Sequence, residues 1–480
     1  MAFFDSPDDL HESQTLEFKE ASGGLPDDLW ETYSAFANTE GGKIVLGVRE
    51  DEPGSFSPVG VQDPRELESE FWKTVRNQRR VEKDVMLYDG VATESTLGVR
   101  LLVISVPRAE RGTKPVRVYD RRAKAFVAYL RRGESDVVAT DSDLRLMTYD
   151  GVPGADRAPL EGYDPEALCG KTIARYRSAF LSSKPLSPWN VDPEEDFLYH
   201  IGALARGRDG LMHPTQAGLL AFGWEYEITS YLPHYLLDYR EESTEGLRWD
   251  DRVVSQDSEW SGNVIDFYLT VSGRLARRFR MPFSTNADGT RHGSRNPATE
   301  AANEALVNAL AHAYYGGTGS VRVVLRPDRL EVSNPGSMLV DRRVAIAGGF
   351  SEARNPTLMR IFSLIGASDR AGSGLCEIWS TWGSLFGSAP VLEERHSPSC
   401  VTLSLPLPAG ASAAAPATDP SASVLEAVSG AEGGLTPSEA FGAGLYPSVR
   451  TAQKQMRALF DAGLVSRRRD GRSWRYLSRR

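Results

Sequence analysis

The chain has 480 residues, 41% of them hydrophobic and 25% charged, with a formal net charge of −10. That length exceeds one ordinary core and predicts roughly three or four domains, in a composition typical of soluble globular proteins. No run of about eighteen apolar residues and no basic-then-apolar leader occurs, so neither membrane insertion nor secretion is predicted and the chain is expected to be cytoplasmic. Cys169, Cys376 and Cys400 are odd in number and far apart, which argues against a disulfide framework and against a zinc site.

Residues 12–19, ESQTLEFK, alternate enough for a strand, and residues 28–39, DLWETYSAFANT, read as a helix with Leu29, Tyr33, Phe36 and Ala37 inward. Gly41-Gly42 ends that helix. KIVLGV, LGVRLLVISVP at 97–107, PVRVYD and AFVAYLRRG read as strands, so residues 1–150 are expected to form one α+β domain.

Three phrases recur there in order: E-S-x-T-x-E-F-K from Glu12, A-F-A-N-T-x-G-G-x-I-x-x-G-V from Ala35, and Lys114-Pro115-Val116 with a later Y-x-R-x-G. They resemble the AlbA-2 domain, a divergent module related to the Schlafen core, although Gly133-Glu134-Ser135-Asp136 stands where Gly-Ser-Ser-Thr is usual. The resemblance implies a DNA-binding role, in which Lys19, Lys73, Arg76, Arg79, Arg80, Arg131 and Arg132 could meet phosphates. A charge run is more often a solvated face. In Schlafen nucleases a carboxylate cluster cuts RNA with a metal ion. Glu12, Glu17 and either Glu50 or Asp51 occupy the matching phrases, and carboxylates converging there could hold Mg²⁺ or Mn²⁺. A Glu–Lys pair on a strand is also explained by structure alone.

Residues 151–165, rich in Gly, Pro and Asp, read as a linker. Gly170-Lys171-Thr172 is no phosphate loop, because Pro165 stands where glycine is needed and no strand precedes it. Residues 151–290 are expected to be a bridging α/β region. It holds a helix around IARYRSAFL, the apolar PTQAGLLAFG, a strand in HYLLDYR and a helix with Val264, Tyr268, Val271 and Leu275 inward. PTQAGLLAFG resembles the bridge joining AlbA-2 to an ATPase-like domain in predicted transcriptional regulators of bacteria and archaea.

Residues 296–315, NPATEAANEALVNALAHAYY, open with a capping Asn296, Pro297 at the first helical position and Glu300 in the first turn. Leu306, Val307 and Leu310 gather on one face. Glu304, Asn308, Ala311 and His312 lie along the other, presenting a carboxylate, an amide and an imidazole. VRVVL and RLEVSN then read as a hairpin ending at Asn334-Pro335-Gly336. Arg370-Ala371-Gly372-Ser373-Gly374 precedes a helix, and VTLSLPLP closes the region as a strand.

This order resembles the Bergerat-type (GHKL) ATPases over residues 291–408. The resemblance implies ATP and Mg²⁺, with Glu304 as general base, Asn308 on the cation, and Asn334, Gly336, Arg370, Gly372 and Gly374 around the nucleotide. Asn334 stands where the family has a carboxylate for the adenine amino group, and Arg354-Asn355-Pro356 with Arg370 replaces a longer glycine-rich lid.

Residues 409–422 read as a flexible tether of Ala, Pro and Ser. From Ser423 to Arg480 there are ten Lys+Arg and five Asp+Glu, so this end carries +5 and the rest −15. Three helical segments and two β-like runs about Asp470-Gly471 predict a winged helix-turn-helix. Met456 and Leu459 are expected to face its core, while Arg450, Lys454 and Arg457 on the long helix and Arg467, Arg468, Arg469 and Arg472 on the wing face duplex DNA from one side.

The sequence therefore predicts an α+β multidomain chain acting as a nucleotide-responsive, DNA-binding transcriptional regulator, with a second copy of the chain as a further expected partner. The alternative is an ATP-gated, Schlafen-like nuclease directed at foreign nucleic acid.

Overall fold

Alternation in LEFK and the apolar run of GKIVL produce the first two strands, β1 (Leu16–Lys19) and β2 (Gly42–Leu46), which pair in parallel. Between them α1 (Leu29–Asn38) is buried almost all round. The computed structural model describes residues 10–96, 98–242, 249–279, 296–349, 352–368, 374–396, 398–408, 434–442, 465–470 and 473–478, together with 453, 456, 457 and 460. A short hairpin of β3 (Val48–Glu52) and β4 (Ser55–Pro58) leads to α2 (Pro64–Val75), whose first free N–H groups are capped by the Asp63 carboxylate. Then β5 (Val91–Thr96) and β6 (Val99–Val106) complete a sheet in the order β1-β2-β6-β5.

A second sheet of β7 (Arg117–Asp120), β8 (Ala125–Arg132) and β9 (Ser135–Val138) lies against α1, and Asn38 is the staple. Its amide donates to the carbonyls of Val116 (2.9 Å) and Tyr129 (3.0 Å) and accepts from the Val116 N–H (2.8 Å). A buried amide satisfied on both sides fixes the register of helix against strand, which accounts for its place in the A-F-A-N-T phrase.

Helix α3 (Asp141–Asp150) starts at a capping box of Thr140 and Asp143. Beyond it, residues 151–165 depart from the expected linker. Residues 155–157 form a 3-10 turn in which Asp156 is fully buried. Its carboxylate accepts the backbone N–H groups of Thr357 (2.8 Å) and Leu358 (3.0 Å) and so caps a distant helix. Gly and Pro set the bends of this segment, and the buried carboxylate anchors it.

Next come α4 (Gly170–Ser183), α5 (Glu194–Ile201), the small hairpin β10 (Leu204–Arg206) and β11 (Met212–Pro214), α6 (Gln216–Phe222) and α7 (Glu225–Tyr231). β12 (Leu237–Glu242) and β13 (Trp249–Val254) precede α8 (Val264–Arg278), which buries Val264, Tyr268, Val271 and Leu275. After α9 (Pro297–His312) come β14 (Val321–Leu325), β15 (Arg329–Pro335), α10 (Arg342–Ala347), α11 (Pro356–Leu364), α12 (Gly374–Phe386), β16 (Val391–His396) and β17 (Ser399–Pro406). Six of these strands form one sheet, β13-β12-β14-β15-β17-β16, with β12 and β14 parallel and every other pair antiparallel. This sheet runs across the boundary expected at residue 290, because β12 needs β14 to satisfy its second edge, and α8 packs on α9.

Residues 1–406 form one compact unit and residues 407–480 another. In the second, α13 (Pro437–Gly442) and the antiparallel hairpin of β18 (Val465–Asp470) and β19 (Ser473–Ser478) are described, as are helical residues 453, 456, 457 and 460. Met456, Val465 and Tyr476 are buried there. The expected tether, together with Arg450, Lys454 and Arg472, lies outside the described residues.

The end of α3 docks onto the larger sheet region through Arg354, which is 1% exposed. Its guanidinium meets the Asp150 carboxylate with two bonds of 2.7 and 3.0 Å. Asp150→Ala should leave that charge buried and unpaired, at an expected cost of about 3–5 kcal/mol. The measurement is the urea midpoint followed by circular dichroism. A wild-type midpoint in Asp150→Ala would show that the pair carries no structural weight, whereas Asp150→Leu with Arg354→Met should recover most of the loss.

Candidate functional site

Helix α9 builds one wall of a pocket. Asn296 caps it by accepting the Ala298 N–H (3.0 Å), and Ala302, Leu306, Val307 and Leu310 are buried against the fold. Glu304, Asn308 and His312 succeed one another at helical spacing along a cavity of about 320 Å³. That size lies at the low end of small-molecule sites, which hold about 300–1,000 Å³. Ala311, expected on the same face, is fully buried.

The sheet supplies the opposite wall with Val332 and Asn334 from β15 and Val401 and Leu403 from β17, and Met338, Leu339, Val340 and Met359 close it with apolar surface. Gly374, the first residue of α12, lies directly on the carboxylate of Glu304: a Cβ there would stand 2.3 Å from Glu304 Oε1. The Ser368 hydroxyl donates to the same oxygen at 3.2 Å. A helix N-terminus, a carboxylate and an amide thus meet at one end of the pocket, and apolar surface with the buried Asn334 amide lies elsewhere in it.

This donor set fits a nucleotide with a hard cation. The first N–H groups of a helix have no partner within it, so the start of α12 suits phosphate, an amide oxygen can ligate Mg²⁺, and the apolar walls suit a flat base. Gly336 takes φ +104° and leaves no room for a side chain, since a Cβ would lie 2.7 Å from Arg354 Nη1. Arg370 and Gly372 lie outside the described residues.

The lid expected at Arg354-Asn355-Pro356 is instead a buried joint. Arg354 donates to the carbonyls of His312 and Ser337 as well as to Asp150. Asn355 donates to Ala311 O (3.1 Å) and Ala313 O (2.8 Å) and accepts from the Tyr149 hydroxyl (2.9 Å). Both residues are spent on holding the C-terminal end of α9 and cannot close over a ligand. Sequence reasoning also missed Arg108 and Arg111. Arg108 donates to Met338 O (2.6 Å) and Arg111 pairs with Glu352, so the amino-terminal domain touches two residues of the pocket wall.

The amino-terminal carboxylates are arranged differently from a cation cage. Glu17 pairs with Arg131 (2.8 Å) and Lys19 (3.0 Å), and Arg131 also holds Asp136 (3.0 Å). Glu12 accepts the Phe18 N–H (3.0 Å), and burial raises its pKa. Asp51 sits on the β3–β4 hairpin with Ser57 and Arg49, whose hydrogen bonds hold its pKa low. Among the described residues no group of three or more His, Cys, Asp or Glu is placed to hold a metal ion.

At the other end, strand pairing divides the wing arginines. Arg467 lies opposite Tyr476 and Arg469 opposite Trp474, whereas Arg468 lies opposite Arg475 on the other face. Alternation along a strand therefore replaces the single basic side expected from the sequence. The Arg467 guanidinium stacks on Phe460 (4.2 Å) and Trp474 (4.3 Å).

Three family models match separate stretches of the chain. Residues 12–140 match the Schlafen AlbA_2 family, residues 145–238 a domain of unknown function (DUF8451), and residues 318–403 the family described as "Putative ATP-dependent DNA helicase recG C-terminal". The chain thus contains an AlbA_2/Schlafen domain and a recG-like C-terminal domain. No curated protein matches it. Among solved structures, the DIP2311 protein from Corynebacterium diphtheriae aligns over 96% of this chain and 92% of that one, at 20% identity and a TM-score of 0.41. The N-terminal domain of a "Putative ATP-dependent DNA Helicase RecG-related Protein" from Nitrosomonas europaea aligns over 28% of this chain and 88% of that one, at 27% identity and a TM-score of 0.22.

The pocket imidazole yields a pH prediction. Burial, then the cations Arg354 and Arg111, pushes the pKa of His312 down to about 4 from an ordinary 6.5. Above 6.5 both folded and unfolded forms are neutral. Between 6.5 and 4 only the unfolded chain takes the proton, so stability falls as pH falls through that window, by up to about 3 kcal/mol. His312→Gln should lose this component. The check is the difference in urea midpoint between pH 7.5 and pH 5 for the two proteins, and equal differences would refute the assignment.

Proposed function

We propose that this chain is a nucleotide-responsive, DNA-binding regulator, whose Bergerat-type (GHKL-like) domain takes ATP with Mg²⁺ and whose carboxy-terminal unit is a winged helix on duplex DNA. One observation carries the reading: Glu304 and Asn308 face a cavity against the glycine that opens α12. The recG-like match over residues 318–403, described by its ATP-dependent helicase relatives, and the AlbA_2 match support a nucleic-acid-related, ATP-binding protein.

When bound, Mg²⁺ would neutralise phosphate charge. Asn308 offers a neutral amide oxygen to such a cation, and Glu304, acceptor-only once ionised, can orient a water toward the terminal phosphate. Gly374 lets the start of α12 approach that carboxylate. Asn334, on the cavity wall, would offer a purine edge an amide, which is a weaker acceptor than a carboxylate. The nuclease alternative draws less support, since Glu17 is already held between two cations.

Calorimetry with ATP and Mg²⁺ tests the first part. Asn308→Ala should abolish the binding heat, and Glu304→Gln should retain it while phosphate release is lost. No heat in the parent, with ATP, ADP or a non-hydrolysable analogue, would remove the nucleotide reading. Salt titration tests the second part, using fluorescence anisotropy of duplex DNA with the full chain. Arg468, exposed on its own face of the hairpin, should contribute roughly 0.9 to the slope of log affinity against log salt, and Arg468→Ala should remove it. Arg467→Ala should change the slope less, because its guanidinium is already stacked on two rings. An unchanged slope in Arg468→Ala would turn the hairpin toward a protein partner.

A further inference from the structure

The amino-terminal cations fall into two groups. Lys19, Arg80, Arg131 and Arg132 are paired with carboxylates. Lys73, Arg76 and Arg79 enter no salt bridge among the described residues, and the first two line a groove of about 650 Å³ with Arg65, Trp72 and Tyr88. Arg65, Ser69, Trp72 and Arg76 recur at the spacing of one face of α2, while Leu67, Phe71 and Val75 on the other face enter the core. The outward face is therefore basic and aromatic because of the helix period.

The two rings differ in how they are held. Trp72 is half-buried, edge-on to Phe71 at 5.7 Å, with the Arg76 guanidinium 5.0 Å from its ring centre. Tyr88 is 98% exposed and gains nothing from folding in that position. A held ring with a cation over it and an exposed ring lining the same groove make a surface on which a flat base can stack while its phosphate meets a positive charge. In a duplex the base faces are stacked on one another and closed to side chains. Only a single strand offers them.

We propose that this groove binds single-stranded nucleic acid, with bases on Trp72 and Tyr88 and the backbone along Lys73, Arg76 and Arg65. Glu68, which also lines the groove, repels phosphate and confines the backbone to the side of the cations. The site is separate from the pocket on α9 and needs no nucleotide there.

The test uses the full chain and a fluorescent oligothymidine, with anisotropy for affinity and ultraviolet cross-linking of an iodouracil-substituted strand for position. Tyr88→Ala removes a side chain outside every core, so it should fold normally and weaken single-strand binding at least about fivefold, with duplex affinity unchanged and Tyr88→Phe near wild type. Lys73→Glu with Arg76→Glu should abolish the binding, and cross-links should map to Trp72 or Tyr88. Equal affinity in Tyr88→Ala, cross-links confined to residues 407–480, or displacement by polyglutamate as effective as by unlabelled strand would each overturn the proposal. The last outcome would mark a surface for an acidic protein.

Discussion

A guanidinium taken almost completely out of water has to be matched by charge and by hydrogen bonds, and Arg354 satisfies that demand by drawing three parts of the chain together. Asp150 supplies the charge from the end of α3. The carbonyls of His312, at the last turn of α9, and Ser337, just past β15, take the remaining donors. Beside it Tyr149 meets Asn355, and the Gln216 amide donates to Tyr149 (2.8 Å), so consecutive residues of one segment lock onto consecutive residues of another. Gly336 is part of the same requirement, since only a residue without Cβ leaves room for Arg354.

This joint decides what the pocket can do. Its wall residues Ser337, Met338 and Glu352 touch Arg354, Arg108 and Arg111 respectively, and the last two belong to the amino-terminal domain. Anything that moves that wall works against contacts made by the first domain. These contacts from the pocket wall to the AlbA_2 domain lie within one compact unit.

Much of this is legible in the sequence where local chemistry decides the outcome. Asn296-Pro297 marks the start of α9, its apolar period marks the buried face, and Glu304 and Asn308 do line a cavity. The glycine before CEIWSTW reads as a phosphate-approach signal, and the structure adds a second reason for it, the carboxylate of Glu304. The failures share a cause. Asp156 and Arg354 are charged residues in segments that read as linker and lid, Asp150 stands at the expected edge of the first domain, and charge predicts exposure unless a partner distant in sequence is known. Asp150 and Arg354 are 204 residues apart. A boundary at residue 290 cuts the six-stranded sheet for a similar reason, because the pairing of β12 with β14 is non-local and leaves no trace in either strand's own pattern.

The same limit explains why two glutamates that look alike in sequence separate so sharply in space. Glu17 lies on a strand, where alternation aims it at Arg131 and Lys19, and its charge is spent on holding β1 to the rest of the domain. Glu304 lies on a helix beside Ala305 and Ala309, which line the same cavity and are too small to fill it. It meets a serine hydroxyl and the backbone of a glycine. Two turns on, His312 stays neutral at physiological pH because burial, and after it the charges of Arg354 and Arg111, make a further positive charge unfavourable. The carboxylate thus stands against the N-terminus of α12, where the partial positive charge of the helix end favours a negative group.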